Sequence, residues 1–446
     1  MQTDRVITRK LPLVSSSSLM GGQQCSRCSP DYTPGLMTAQ VVILNKLAVT
    51  AASDSSVTLT TPDGRQRPFP SAEKIYPLPP PHAVAVLHSG NTQLLDVPYV
   101  VLVGEWFRTL PATRMGRVQD YSDLFTSWIS DQHKLFTQKS QDDHLAWMLR
   151  DYFLAIKTDL SERWKQEDVA DKDSASLSAE GTIQEVLSER LRRLRQQPSI
   201  PGWESFDKGA YIASRMSVLD KARDWVFDGT PRTPAGDAML TEVAAELLRV
   251  QEPWNTDAEL VFAGFGEDEL FPAQQSITFQ GILDNRLRTV ADDYVSVGSD
   301  GPFISPFAQT EAVDTFLRAY HRSYLGVAHR SLDSALNDLR SRMNPGEISD
   351  ADLDEVTAAG HRSIDDDWER VCREEFVGPM IDTVGGLPPA EIARLAEALV
   401  GLQVLRQLTQ AETETVGGPI DVALITREQG FRWLRHKTLG SANTIA

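Results

Sequence analysis

Thr38 and Asp54 lie sixteen residues apart in the stretch Thr38-Ala-Gln-Val-Val-Ile-Leu-Asn-Lys-Leu-Ala-Val-Thr-Ala-Ala-Ser-Asp54. Lys74 follows in Ala-Glu-Lys-Ile-Tyr-Pro-Leu, and the next apolar run ends in His88-Ser89-Gly90-Asn91. A threonine hydroxyl is a poor nucleophile at neutral pH until a base takes its proton. If the threonine is the first residue of its chain, its own α-amine can be that base, with an ordinary pKa of about 7.7–8.0. A lysine beside the hydroxyl would favour its alkoxide-like state, and an aspartate would hold the lysine in place. Read one at a time, Thr38 begins a strand, Asp54 caps a turn and Lys74 is a surface charge. Only the combination, in this order, speaks for chemistry.

The elements that must position these residues are short strands. Val41–Leu44 and Leu47–Ala52 are β-type runs separated by Asn45-Lys46, a polar turn of the hairpin kind. Ala83–Leu87 is a second apolar strand. In this arrangement the stretch resembles the proteasome β-subunit superfamily of N-terminal-nucleophile (Ntn) hydrolases. That family opens on threonine, carries Ala-Ala-Asp-Ser at the same distance, and continues with Lys-Ile and a small-Gly turn. Two later stretches extend the resemblance. Glu259-Leu-Val-Phe-Ala-Gly-Phe-Gly-Glu-Asp-Glu, followed by Gln275–Gln280, resembles the family's central hairpin. Thr415-Val-Gly-Gly-Pro-Ile-Asp-Val, alternating like a strand, resembles its late Gly-Gly-x-Ile-(Asn/Asp)-Val strand. Together they bracket residues 38 to about 438.

The resemblance implies an α+β chain, a four-layer αββα sandwich with large helical insertions. It also implies a threonine-dependent amide-bond hydrolase, first of all a proteasome-like peptidase. Thr38 would be the nucleophile and its amine the base, with Lys74 tuning the charge and Asp54 orienting Lys74. Gly90 would donate its amide to the oxyanion, because a residue without Cβ lets the backbone approach closely. Ser299, in Val-Ser-Val-Gly-Ser-Asp-Gly, resembles the family serine that follows a strand and begins a helix. Two positions depart from the pattern. Where the family places an aspartate and a serine just before the late Gly-Gly, this chain has Thr413 and Val416. Two other readings stay open: an amidohydrolase of the same fold acting on a small amide, and a catalytically silent scaffold. None of the three calls for a cofactor or a metal.

Residues 1–37 precede the candidate nucleophile. They are rich in Ser, Gly and Pro, with Ser15–Ser18 and Gly21-Gly22, and read as a disordered extension. Met37-Thr38 has the form of an authentic start, so an over-long gene model is expected ahead of a propeptide. Cys25-Ser-Arg-Cys28 lacks a second pair and is weak evidence for zinc or redox chemistry. The net charge of −18 argues against nucleic acid and anionic membranes as partners. Three cysteines fit a reducing cytoplasm, and no apolar run approaches a membrane span. A peptide or small amide is the expected substrate and a homo-oligomer a possible assembly. With no P-loop in the chain, any ATP-driven unfoldase would be a separate chain.

Helical periodicity dominates an insertion at about 115–255, with segments at Asp143–Trp164, Thr182–Gln197, Tyr211–Phe227 and Pro234–Gln251. Asp96-Val-Pro98 has the signature of a helix start, and Tyr99–Leu110 reads as apolar nearly all round, hence buried. Further helices are expected within about 306–412: one from near Pro306 through Ala312–Tyr324, then Ala351–Val377 and Pro388–Glu412. The insertion should either limit ring assembly or roof the site of a single subunit.

Overall fold

The computed structural model of the chain describes residues 38–60, 66–170, 179–230, 232–252, 257–321, 323–343, 349–409 and 416–437. The expectations for residues 1–37, including Cys25 and Cys28, and for Thr413 fall outside these residues. In chain order the first strands are β1 Ala39–Leu44, β2 Val49–Ser53, β3 Val57–Thr60, β4 Gln66–Phe69, β5 Ile75–Pro77, β6 Ala83–Gly90, β7 Gln93–Leu94 and β8 Val97–Pro98. Helices α1 Tyr99–Phe107, α2 Val118–Ser130, α3 Gln138–Ala170, α4 Ala179–Gln196, α5 Lys208–Ala213, α6 Met216–Phe227 and α7 Pro234–Leu247 follow. Then come β9 Ala258–Phe265, β10 Ala273–Leu283, β11 Arg286–Ala291, β12 Val295–Ser296, the short α8 Val297–Asp300 and β13 Phe303–Ala308. Helices α9 Glu311–Arg318, α10 Ser323–Arg342 and α11 Asp350–Val371 lead through a π-turn at Cys372–Val377 into α12 Gly378–Gly386 and α13 Pro389–Leu408. Strands β14 Asp421–Thr426 and β15 Gly430–Arg435 close the chain.

Two antiparallel sheets carry the architecture. The first runs β13-β1-β2-β14-β15 and the second β11-β10-β9-β6-β5. Strand alternation sends one set of side chains to each face, and both faces of both sheets are apolar. Val42, Leu44, Val49, Ala51 and Ala423 of the first sheet pack on Ala83, Ala85, Leu87, Val261 and Ala263 of the second. On the other face of the first sheet, Val41, Ile43, Ala52 and Val422 pack on Val313 of α9 and Ile392, Ala396 and Val400 of α13. On the other face of the second, Val84, Val86, Leu260, Phe262 and Phe279 pack on Leu102 and Trp106 of α1 and Tyr121 and Phe125 of α2. Burial on both sides explains why β1 reads as a continuous apolar run rather than an alternating one.

Helices α3 to α7 form a separate apolar cluster, with Leu145, Leu149, Phe153, Leu187, Leu194, Leu219 and Leu247 among its fully buried members. It joins the second sheet at β10 and β11. Trp203 Nε1 donates to Leu287 O at 3.2 Å, His144 Nε2 meets Gln280 O at 3.0 Å, and the buried Arg288 donates to Leu248 O and Val250 O. β11 is the edge strand opposite β5, so the insertion is anchored at the side of the sheet away from Lys74.

Three expectations need correction. The segment at Pro306 is not helical: Pro306 lies inside β13, paired with Val41, and the helix begins only at Glu311. β13 is an edge strand, where a residue without an N–H costs no ladder bond on its open side. Helix α1 is not buried all round, because Val100 and Val101 are about half exposed, at 53% and 49%. Helix α10 lies within the 306–412 stretch expected to hold further helices, but the segments named there stop at Tyr324 and resume at Ala351, so most of it falls between them.

The β1–β2 turn is locked by Asn45. Its Oδ1 accepts from Leu47 N at 2.9 Å and Ala48 N at 3.2 Å, and its Nδ2 donates to Val384 O at 3.1 Å and Leu387 O at 2.8 Å. Asn45 is fully buried, so Asn45→Ala leaves backbone groups of the turn and of α12 without partners. We expect it to cost about 2–4 kcal/mol in chemical denaturation, with an exposed Lys46→Ala control within about 0.5 kcal/mol of wild type.

Candidate functional site

The site grows from the far end of the β1–β2 hairpin. Ala39 opens β1, and Asp54 directly follows β2. The antiparallel register sets Gln40 opposite Ser53, and Asp54 N donates back to Ala39 O at 3.1 Å. Hairpin geometry therefore brings the two ends of the sixteen-residue interval together. Asp54 is fully buried and accepts four hydrogen bonds. Oδ1 takes Lys74 Nζ at 2.8 Å and Ala39 N at 2.9 Å; Oδ2 takes Ser56 N and Gly417 N, each at 3.1 Å. One carboxylate oxygen thus holds both the lysine ammonium and the peptide nitrogen adjoining Thr38.

Lys74 is only 6% exposed. Burial pushes its ammonium below the usual lysine range, while the charge and hydrogen bond of Asp54 oppose that fall. Thr38 is buried at 4% exposure, and its carbonyl accepts Gln309 N at 2.9 Å. Gln40 Nε2 donates to His88 O at 2.8 Å and pins the start of β1 to the end of β6, two residues from Gly90. His88 N in turn donates to Lys74 O at 2.9 Å. Thr38, Asp54, Lys74 and Gly90 accordingly share one end of the paired sheets.

Gly90 has its own reason to be glycine. Its φ is +83°, and a Cβ there would lie 2.4 Å from Asp257 O. Backbone geometry requires the residue whether or not its amide serves a reaction. Gly90→Ala is accordingly a stability variant before it is a catalytic one.

Ser299 stands apart. It lies in α8 and is exposed, with its Oγ on Ser296 O at 3.3 Å and Asp300 Oδ2 at 2.9 Å. α8 precedes β13, and β13 runs antiparallel to β1, so its first residue Phe303 pairs with Leu44 and its last, Ala308, with Ala39. A six-residue strand spans roughly 20 Å, which separates Ser299 from Thr38. The end of β13 is what reaches the site. There Ala308 takes a positive φ of 63°, Gln309 bonds Thr38, and Thr310 Oγ1 donates to Asp314 Oδ2 at 2.6 Å. The Thr310–Asp314 spacing at a helix start was the available signal for this segment. Val416 is fully buried among the residues facing α13. Its neighbour Gly417 was legible only as a strand signature, yet it supplies a donor to Asp54 and accepts Ser55 N at 3.2 Å.

No protein-family model matches the chain, and no curated protein matches it. No helix among the described residues is long and apolar enough to cross a membrane.

Two predictions follow from this geometry. Asp54→Ala strips a buried lysine of its counter-charge and leaves the Ala39, Ser56 and Gly417 amides unpaired. It should cost about 3–5 kcal/mol, more than Lys74→Met, by urea denaturation. His88 is buried and its pKa is pushed down to about 4, first by desolvation. The unfolded histidine titrates near 6.5, so the unfolded state binds the extra proton between pH 6.5 and 4, and stability is lost as pH falls through that window. His88→Gln should flatten the stability profile there by about one proton. An unchanged slope would contradict it.

Proposed function

We propose that this chain is a threonine-dependent amide-bond hydrolase of the Ntn type, with Thr38 as the nucleophile once residues 1–37 are removed. The observation that carries the reading is the single oxygen of Asp54 shared by Lys74 Nζ and the Ala39 amide. That contact fixes a cation beside the first peptide of the Thr38 form. Two apolar-packed sheets with helices on both outer faces support the four-layer αββα arrangement that such enzymes use.

In the proposed reaction the free Thr38 amine takes the hydroxyl proton and Thr38 Oγ1 attacks the amide carbonyl. Lys74, held as an ammonium by Asp54, stabilises the developing negative charge on Oγ1. The protonated amine then gives its proton to the leaving nitrogen, the C–N bond breaks, and water releases the acyl group from Oγ1. Thr38 needs a free amine for this: within the full chain its nitrogen is an amide and cannot act as a base. A catalytically silent scaffold is the second reading, favoured by the apolar burial of Val416 where the resemblance implies a polar group.

The test is made on protein from its natural host and on a recombinant form beginning at Thr38. Terminal sequencing should give Thr38 as the first residue. The Thr38 form should hydrolyse members of a fluorogenic peptide panel, and Thr38→Ala and Lys74→Met should each lose activity by about 10²-fold or more. A stable host product still carrying residues 1–37, together with identical traces for the Thr38 form and Thr38→Ala, would leave the scaffold reading.

A further inference from the structure

A second lysine is buried beside the first. Lys437, two residues beyond β15, has a side chain only 6% exposed and forms an ion pair with Asp421, itself 2% exposed. Lys437 Nζ and its backbone N–H both reach Asp421, the latter donating to Oδ1 at 2.8 Å. Asp421 opens β14 directly opposite Ser53, and Ser55 Oγ donates to Asp421 Oδ2 at 3.4 Å. The residues on either side of Asp54 thus both meet Asp421. Glu73, the neighbour of Lys74, lies 3.6 Å from Lys437 Nζ and 3.1 Å from His436 Nε2. Two lysine–aspartate pairs therefore stand side by side at the end of β2, joined through Ser55.

We propose that Lys437 and Asp421 form a positioning pair, which holds the Asp54 turn, and with it the Asp54–Lys74 ion pair, against β14. The consequence for catalysis rests on the reading above, whereas the titration of Lys74 does not. Among the described residues, the charged groups acting on Lys74 include Asp54 from the end of β2, Asp421 from β14 and Lys437 from beyond β15; Glu73 is next to Lys74 in the chain and paired with Lys437, and the neutral His88 lies on β6. In a desolvated site the Lys437 ammonium disfavours a second cation at Lys74, and the Asp421 carboxylate favours one. The sign of each effect can be separated. Lys437→Gln deletes the repelling cation and leaves the attracting anion uncompensated, so Lys74 should hold its proton to higher pH. Asp421→Asn does the reverse. A merely structural role would give no such opposition.

The experiment uses the full chain labelled with 13C at lysine Cε, with the Lys74 signal assigned by its absence from Lys74→Arg. The apparent pKa of Lys74 should rise by about one unit in Lys437→Gln and fall by about one unit in Asp421→Asn, with Lys437→Arg close to wild type. Shifts in the same direction, or none, would overturn the proposal. If Lys437→Gln does not fold, the sign in Asp421→Asn decides alone. On the Thr38 form, the alkaline limb of amide hydrolysis should move with each titration. Moved titrations without hydrolysis would fail the proposed reaction and leave the pair standing; hydrolysis with unmoved titrations would do the opposite.

Discussion

The buried carboxylate of Asp54 is the constraint around which this end of the molecule is organised. A buried aspartate is tolerated only if its oxygens are satisfied and its charge is compensated. Here three backbone amides and one ammonium do both. The donors come from β1, from the turn after β2, from the loop before β5 and from the strand approach at Gly417. Four chain segments distant in sequence are fixed against one another by one side chain. Any chemistry at Thr38 inherits its geometry from that anchor, because Ala39 N, one peptide away, is among the four.

The rest of the fold keeps that end in register. The two sheets meet over small and β-branched residues such as Ala51, Ala83, Ala85, Ala263 and Val42, which let the layers approach closely. The Gln40–His88 hydrogen bond crosses between the sheets where this apolar interface gives way to polar groups. At the opposite edge, the helical insertion builds a core of its own and ties to the sheet through Arg288, Trp203 and His144. Gly281 belongs to this junction: with φ +105° and His144 Nε2 only 2.0 Å from the place of a Cβ, the ring packs against bare backbone. The insertion is thereby an addition to the second sheet's far edge.

Much of this was legible in the sequence because the signals were local. The Asn45-Lys46 turn between two apolar runs, the Gly90 that ends β6, and the paired runs of β9 and β10 each announce an element within a few residues. Sites read from such elements, Thr38, Asp54, Lys74 and Gly90, are gathered at one end. What failed was decided by pairing at long range. Ser299 has the local look of a serine opening a helix, but the antiparallel register of β13 with β1 carries it to the wrong end of the strand. Pro306 reads as a helix start until β13 is known to be an edge strand. Nothing within sixteen residues of Asp421 marks Lys437 as its partner, since only the β14–β15 hairpin returns the chain to that point.

The central claim is that Thr38 is a nucleophile whose reactivity depends on the Asp54-held Lys74. Acylation by a peptide β-lactone, followed by intact mass and peptide mapping on the form beginning at Thr38, measures it directly. One adduct is predicted, on Thr38, absent from Thr38→Ala and formed at least about 10²-fold more slowly in Lys74→Met. A folded Thr38 form that takes no label, or takes it elsewhere, or labels Thr38 equally fast without Lys74, would contradict the account.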